Sequence, residues 1–283
     1  MPPIPSSPPV PLAPWPVPDV EAVRQHIASR GLRAGPVGAV GLELERHVVD
    51  TAEPVRPVAW ERLTGALSGV LPPSGSRVTL EPGGQVELST PPLPGVAAAV
   101  AALRVDAAVV DAALADAGLV LLSVGADPAR PPVRLNPGGR YTAMEGYFRA
   151  AGHGADGAAM MCSTAALQLN VEAGPAGRWA GRLEHVHRLL PVLVALAGCS
   201  PLLSGRGTGM RSARQGVWQR LDPGRCAPWL RAGDPAAAWA EFALAAPVML
   251  VRTGGTGTGR PVLVPVTERV PLLDWVRGRR LLD

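Results

Sequence analysis

The sequence predicts an α+β fold in which an antiparallel sheet is flanked by helices. Strand-like segments occur singly or as hairpins between helices, rather than in regular alternation with them. The segment VTLEPGGQVELST places two alternating arms around Pro82, Gly83 and Gly84, which is typical of a β-hairpin. Regular alternation of strands and helices would indicate a doubly wound parallel sheet, so the antiparallel arrangement is favoured.

The first half of the chain predicts three helices, two single strands and the hairpin. Asp19 can cap the first helix, and polar residues on one side of the third mark its solvent face. In chain order the predicted elements are a helix to about Ser29, a strand from about Val37 to Val49, a helix over Trp60–Val70, the hairpin, a helix over Val96–Leu119 and a strand LVLLSVG.

The second half predicts four helices and three further strands. Asp234 and Pro235 have the residue types of an N-cap and a first helical position. In chain order the predicted elements are a helix RYTAMEGYF, a strand MMCSTAALQLNVEAG, a helix from Trp179 to about Leu196, a short helix near Met210–Gln219, a helix DPAAAWAEFALAA, and strands VMLVR and PVLVPV.

The composition excludes several kinds of site. The sequence has 27 Lys+Arg residues, all of them Arg. A P-loop and Schiff-base chemistry both need Lys, so neither is expected. The Arg residues are spread along the chain and the net charge is only +4, so we expect no nucleic-acid partner.

Cysteine and hydropathy patterns predict a cytoplasmic protein. Three cysteines at wide spacing form neither a disulfide framework nor a CxxC metal pair. The longest apolar run, Leu189–Leu203, contains two prolines and is too short to span a bilayer, so no membrane partner is expected. Residues 1–18 are Pro-rich and are predicted to be a disordered tail.

Two pairs of glutamates are the first candidates for chemistry. Glu43 and Glu45 share one face of a predicted strand, and Glu81 and Glu87 flank the hairpin turn. Each pair alone is compatible with a solvated strand face. Together they form an oxygen-rich set suited to Mg²⁺, whose remaining coordination sites are commonly filled by nucleotide phosphates and water.

Polar residues elsewhere are further candidates. Gln168 and Asn170 share a strand face, and Asn is scarce in this chain and disfavoured in strands. The Gly-rich loop 205–209, followed by Arg211 and Arg214, offers backbone donors and guanidinium groups for a carboxylate or a phosphate, although ordinary loop flexibility explains it equally well.

Six ordered blocks carry a family resemblance over about residues 20–280. The blocks are GLELERHVVD, EPGGQVELSTPP, RYTAMEGYF, MMCSTAALQLNVEAG, SGRGTGMRSARQGVWQRLDPGR and DPAAAWAEFALAAPVMLVR. In this order and spacing they resemble the bacterial glutamate-cysteine ligases of ergothioneine biosynthesis, which are similar to the plant-type enzymes and to glutamine-synthetase-like carboxylate-amine ligases.

The resemblance implies a curved antiparallel sheet that binds Mg²⁺ and ATP, within one catalytic domain over residues 19–283. It implies that the γ-carboxylate of glutamate is phosphorylated and that the amine of cysteine then displaces the phosphate. By position, it implies metal ligands at Glu43, Glu45, Glu81 and Glu87, substrate-binding residues at Gln168, Asn170, Arg214 and Trp218, and a catalytic role for Arg214. Glutamate, cysteine and ATP are the implied small-molecule partners, and the oligomeric state is left open.

The chain departs from the family pattern at several points. Cys199 stands where relatives tend to have Asn, Ala245 stands where they tend to have Asp, and the family pattern continues past residue 283. We therefore expect a catalytic domain that is incomplete at its C-terminus, weak Mg²⁺-ATP binding and little turnover. Two alternatives stay open: a ligase with another amine acceptor, and an inactive homologue that acts only as a binding protein.

Overall fold

The structure, a computed structural model, describes residues 19–229, 233–253 and 262–278. The predicted tail over residues 1–18 lies outside the described residues. Ten α-helices are described: α1 (Val20–Gly31), α2 (Trp60–Ala66), α3 (Gly95–Asp116), α4 (Gly139–Ala150), α5 (Gly154–Ser163), α6 (Trp179–Ala197), α7 (Ala213–Arg220), α8 (Pro223–Cys226), α9 (Pro235–Ala245) and α10 (Leu272–Val276).

The described strands form one six-stranded sheet and two sheets of two short strands, and every named strand pair is antiparallel. This confirms the predicted α+β class. The strands are β1 (Ala39–Asp50), β2 (Arg77–Leu80), β3 (Val86–Ser89), β4 (Leu93–Pro94), β5 (Leu119–Leu122), β6 (Leu167–Val171), β7 (Leu202–Leu203), β8 (Arg206–Gly207), β9 (Leu250–Thr253) and β10 (Val262–Pro265).

Strand β1 is the centre of the large sheet. Its side toward β2 pairs with β3 and β4, and its other side pairs with β6 and then β5. One face of the sheet is apolar and packs on α3, where Leu88, Val110 and Leu114 are fully buried. Each such side chain contributes about 1.5–3 kcal/mol by leaving water. The opposite face of β1 is therefore available for polar side chains.

One predicted element is wrong. The segment 160–174 was expected to be a single strand, but Met160–Ser163 is the last turn of α5 and the strand is confined to Leu167–Val171. A short apolar run has the same pattern in a buried helix as in a strand, so periodicity does not separate them. The helix expected near Met210 begins later, at Ala213, because the Ser212 side chain accepts a hydrogen bond from the Gln215 N–H and caps it.

Apolar surface remains exposed at β6 and α6. Leu167 and Leu169 continue the apolar face of the sheet, yet they are 63% and 59% exposed. Helix α6 has no buried residue among its 19, and Leu193 and Leu196 are half or more exposed. In the described ranges, no helix combines the length and apolarity needed to cross a bilayer.

Candidate functional site

The polar face of the sheet brings the four predicted glutamates together. Glu45 of β1 is paired with Glu87 of β3, and Glu87 is paired with Thr79 of β2. Residues directly opposite in an antiparallel pair project from the same face. Glu81 follows β2 with the same parity as Thr79, and Glu43 precedes Glu45 by two positions. All four carboxylates therefore belong to one face, as the alternation predicted.

Hydrogen bonds from β6 orient the two glutamates of β1. Gln168 Nε2 donates to Glu45 Oε1 at 3.2 Å, and the Ala166 backbone N–H donates to Glu45 Oε2 at 2.9 Å. Asn170 Nδ2 donates to Glu43 Oε1 at 2.9 Å. The predicted polar pair thus holds carboxylates in place, which gives a reason for Asn in a strand.

Hydroxyl groups orient the third carboxylate. Thr79 Oγ1 donates to Glu87 Oε1 at 2.9 Å, and Ser89 Oγ donates to the same oxygen at 2.8 Å. The Glu87 carboxyl also lies within hydrogen-bonding reach of the Glu81 carboxyl. Glu87 and Glu81 are therefore direct neighbours on the acidic face.

The hairpin turn that carries Glu81 is packed tightly against α5. Gly84 has φ +83°, and a Cβ at Gly83 would lie 2.2 Å from the Cys162 carbonyl oxygen. Gln85 Nε2 donates to the Thr164 carbonyl at 2.8 Å. Glycine is needed at both turn positions, first for close approach and then for a left-handed backbone. These contacts fix Glu81 relative to Glu45.

Burial and the neighbouring carboxylates change the titration of Glu45 and Glu81. Burial raises the pKa of Glu45 to about 7, and repulsion from Glu81 and Glu87 adds to this, against a hydrogen bond from Ala166 and the charge of Arg214. Burial also raises the pKa of Glu81, with repulsion from Glu87 and Glu43. The site therefore carries negative charge that the described side chains do not fully neutralise.

A cavity of about 350 Å³ lies between this acidic face and helices α4, α5 and α7. Five of the predicted site residues line it: Glu45, Glu81, Gln168, Arg214 and Trp218. Glu43, Glu87 and Asn170 lie on the same sheet face but do not line the cavity. Of the two polar residues of β6, only Gln168 therefore lines the cavity.

Arg214 reaches the cavity from the first turn of α7. Its backbone N–H donates to Ser200 Oγ at 3.3 Å, and its guanidinium carbon lies 5.9 Å from the centre of the Trp218 ring. Its Nε is buried and has no partner among the described residues. Burial lowers the Arg214 pKa, and the Glu45 carboxylate opposes that shift. A partly buried guanidinium that pairs with no carboxylate in the described ranges fits a ligand's carboxylate.

The sequence did not single out several residues of this cavity. Arg140 and Tyr141, at the start of α4, line it opposite the sheet, and Met144 and Met160 add apolar wall. Helix α4 was predicted and the end of α5 was mistaken for strand, and in both cases only the tertiary fold brings these residues to the glutamates. The available signal for this part of the cavity was Asn136. It is the other of the chain's two asparagines, and the scarcity of Asn had already marked Asn170 as a candidate.

The donor set suits a hard divalent cation. In the described ranges, no three His, Cys, Asp or Glu side chains already surround a point where a metal ion would sit. The carboxylates nevertheless offer oxygen ligands only, and their mutual repulsion would be relieved by a dication. The residues present therefore fit Mg²⁺ by chemistry and charge.

Similar proteins agree with this chemistry. A family model described as glutamate-cysteine ligase family 2 matches residues 39–280. The Mycobacterium tuberculosis (strain H37Rv) protein named glutamate-cysteine ligase EgtA is 51% identical over 268 residues, 94% of this chain and 61% of that protein. The Mycolicibacterium smegmatis protein of the same name is 47% identical over 93% of this chain and 61% of its own length.

Plant proteins match more distantly. The chloroplastic glutamate-cysteine ligase of Medicago truncatula is 25% identical over 66% of this chain and 40% of its own length. The chain thus spans about 61% of the length of the bacterial relatives it matches. The family's glutamine-synthetase-like fold agrees with the antiparallel sheet and flanking helices seen here. On the match over residues 39–280, this chain belongs to glutamate-cysteine ligase family 2.

Proposed function

We propose that this chain ligates the γ-carboxylate of L-glutamate to the amine of L-cysteine, at the expense of ATP, in ergothioneine biosynthesis. The observation that carries the proposal is one cavity in which Glu45 and Glu81 face the guanidinium of Arg214, which forms no ion pair with the residues that the structure describes. An enzyme that phosphorylates a carboxylate uses both the acidic side chains and the cationic one. The acidic residues hold the metal that accompanies ATP, and the Arg binds the substrate's own carboxylate.

Mg²⁺ would be held by Glu43, Glu45, Glu81 and Glu87. When bound, it supplies positive charge that neutralises the phosphates of ATP. Gln168 and Asn170 orient Glu45 and Glu43 for this role through the hydrogen bonds described above. Catalytic domain 19–283 is proposed as one unit, because these residues come from strands separated by over a hundred positions.

Glutamate would be bound by Arg214, Gln168 and Trp218. The planar guanidinium of Arg214 can bind a carboxylate through two parallel hydrogen bonds, which fixes the substrate's orientation. Met144, Met160 and Trp218 form the apolar wall of the cavity. Such a wall keeps water from a reactive acyl phosphate.

The reaction balances in two steps. An oxygen of the glutamate γ-carboxylate bonds to the terminal phosphorus of ATP, and ADP leaves. The cysteine amine then attacks the γ-carbonyl carbon, and phosphate leaves with the original carboxylate oxygen while the amine gives up a proton. The chain's contribution is positioning and charge neutralisation.

The proposal is tested by cysteine-dependent ADP release together with mass-spectrometric detection of γ-glutamylcysteine. The expected result is ADP release that requires both amino acids and is fastest with cysteine. Equal ADP release with another amine would favour a ligase that uses a different amine acceptor. Binding of ATP and glutamate without any product would favour a homologue that acts only as a binding protein.

The three free cysteines fit a reducing compartment, which supports a cytoplasmic location.

A further inference from the structure

Arg140 is a second cation of the cavity, and the proposed reaction has not yet used it. Its side chain is exposed and lines the same cavity as Glu81. Its guanidinium carbon lies 6.0 Å from the centre of the Tyr141 ring. It forms no hydrogen bond or ion pair with residues inside the described ranges, so its donors are free for a ligand.

A clasp around Asn136 fixes where Arg140 stands. The backbone N–H groups of Leu135 and Asn136 donate to the Pro82 carbonyl at 2.8 and 3.0 Å. Asn136 Nδ2 donates to the Leu80 carbonyl at 3.0 Å, and Asn136 Oδ1 accepts from the Gly138 N–H at 2.9 Å. Three of these bonds tie the segment before α4 to the hairpin that carries Glu81, and the fourth joins Asn136 to Gly138, the residue that precedes α4.

The clasp places the Arg140 guanidinium on the wall of the cavity formed by the start of α4, whereas the Arg214 guanidinium reaches the same cavity from α7. Glu45 and Glu81 line the cavity with both of them. Arg140 forms no ion pair with Glu81 in the described part of the chain, so it stands beside the carboxylate rather than closing it off. In a chain without Lys, such an Arg is the available group to neutralise an anion held next to Glu81 and Glu87.

We propose that Arg140 binds a phosphoryl group of ATP, and that Asn136 is the positioning residue that holds it there. The inference rests on the proposed function, because it takes ATP as the anion that meets the acidic pair. A phosphate suits Arg140 better than a substrate carboxylate, since Arg214 on α7 already offers a partly buried guanidinium for the carboxylate. The guanidinium fork matches two phosphate oxygens.

The test is calorimetric titration of the full chain with Mg²⁺-ATP and, separately, with L-glutamate. R140Q removes the cation, R140K keeps a charge without the fork, and N136D keeps the acceptor to Gly138 while losing the donor to Leu80. R149Q is the matched control, because Arg149 lies on the same helix and its side chain is 74% exposed.

R140Q is expected to weaken Mg²⁺-ATP binding about 10- to 100-fold and glutamate binding less than about 3-fold. R140K should recover part of the loss, and N136D should weaken Mg²⁺-ATP binding about 3- to 10-fold with glutamate unaffected. R149Q should bind both ligands as the wild type does. If Asn136 had only a structural role, N136D would weaken the binding of both ligands together.

The outcomes separate the two proposals. Unchanged Mg²⁺-ATP affinity in R140Q overturns the role of Arg140 and leaves the proposed function standing. A loss of glutamate affinity alone overturns the phosphoryl assignment. If the wild type binds no Mg²⁺-ATP at millimolar concentration, the proposed function fails first, and the role of Arg140 falls with it.

Discussion

Gln168 Nε2 donates a hydrogen bond to Glu45 Oε1 across the β6–β1 pair, so the strand that follows α5 orients a carboxylate of the central strand. Glu45 is also the residue at which burial and repulsion from Glu81 and Glu87 raise the pKa to about 7. The same carboxylate is therefore well oriented for a cation and costly to ionise without one.

Replacing Glu45 by Gln should stabilise the metal-free chain above pH 7. The raised pKa means that folding favours protonated Glu45, so its contribution to stability is present below about pH 4.5 and is lost as pH rises through 7. Partial exposure limits the gain of E45Q to about 1–3 kcal/mol. Thermal unfolding in EDTA between pH 4 and 8 measures it.

Magnesium should reverse the order of the unfolding temperatures of the wild type and E45Q. Added Mg²⁺ should raise the unfolding temperature of the wild type more than that of E45Q, because the dication relieves repulsion to which the neutral amide of the variant no longer contributes. E61Q, on the exposed surface of α2, is the matched control and should behave as the wild type. Equal magnesium effects in wild type and E45Q would remove Glu45 from the metal site.

Gly83→Ala should destabilise the chain severely. The new Cβ would lie 2.2 Å from the Cys162 carbonyl oxygen, so the hairpin turn must move away from α5. A cost of about 2 kcal/mol or more is expected, in the range of overpacked sites. Gly65→Ala is the control, since nothing lies within 4 Å of its Cβ position and α2 should tolerate Ala. Denaturant unfolding that finds the two variants equally stable would refute the close packing.

Arg214→Gln should weaken glutamate binding about 10- to 100-fold while changing Mg²⁺-ATP binding little. The reason is the loss of a buried, charge-assisted donor that no described carboxylate engages. R220Q is the matched control on the same helix, because Arg220 pairs with Asp156 at the surface. Unaltered glutamate affinity in R214Q would assign Arg214 to a structural role.

Leu193→Glu on α6 should change the free energy of unfolding by less than about 0.5 kcal/mol. Leu193 is 50% exposed and α6 buries none of its residues against the described chain. Leu114→Ala, in the fully buried core under the sheet, should cost about 2–5 kcal/mol. A large loss on Leu193→Glu would show that α6 packs against something in solution.

Sequence alone predicted the sheet face because the strand period is two residues. The parity of Glu43 and Glu45 and the turn at Gly83 and Gly84 followed from local rules, and the register then aligned Glu45 with Glu87. The side of the strand on which each glutamate lies needed no knowledge of distant contacts. The acidic half of the site was therefore predictable.

The opposite wall of the cavity was not predictable in the same way. Arg140 and Tyr141 reach the glutamates only because the Asn136 clasp ties α4 to the hairpin turn. The end of α5 was mistaken for strand because Met160 and Met161 are apolar and lie in a short run. Tertiary packing, rather than local pattern, decides both features.

The most direct test of the proposed reaction traces an oxygen atom from the glutamate γ-carboxylate into inorganic phosphate. The chain, at a concentration comparable to its substrates so that slow turnover is still detected, is supplied with Mg²⁺-ATP, cysteine and glutamate labelled with ¹⁸O in its γ-carboxylate. Phosphorylation of that carboxylate predicts inorganic phosphate carrying one ¹⁸O for each γ-glutamylcysteine formed, and none in E45Q. Phosphate without ¹⁸O, or labelled phosphate undiminished in E45Q, would contradict the proposed site and its chemistry.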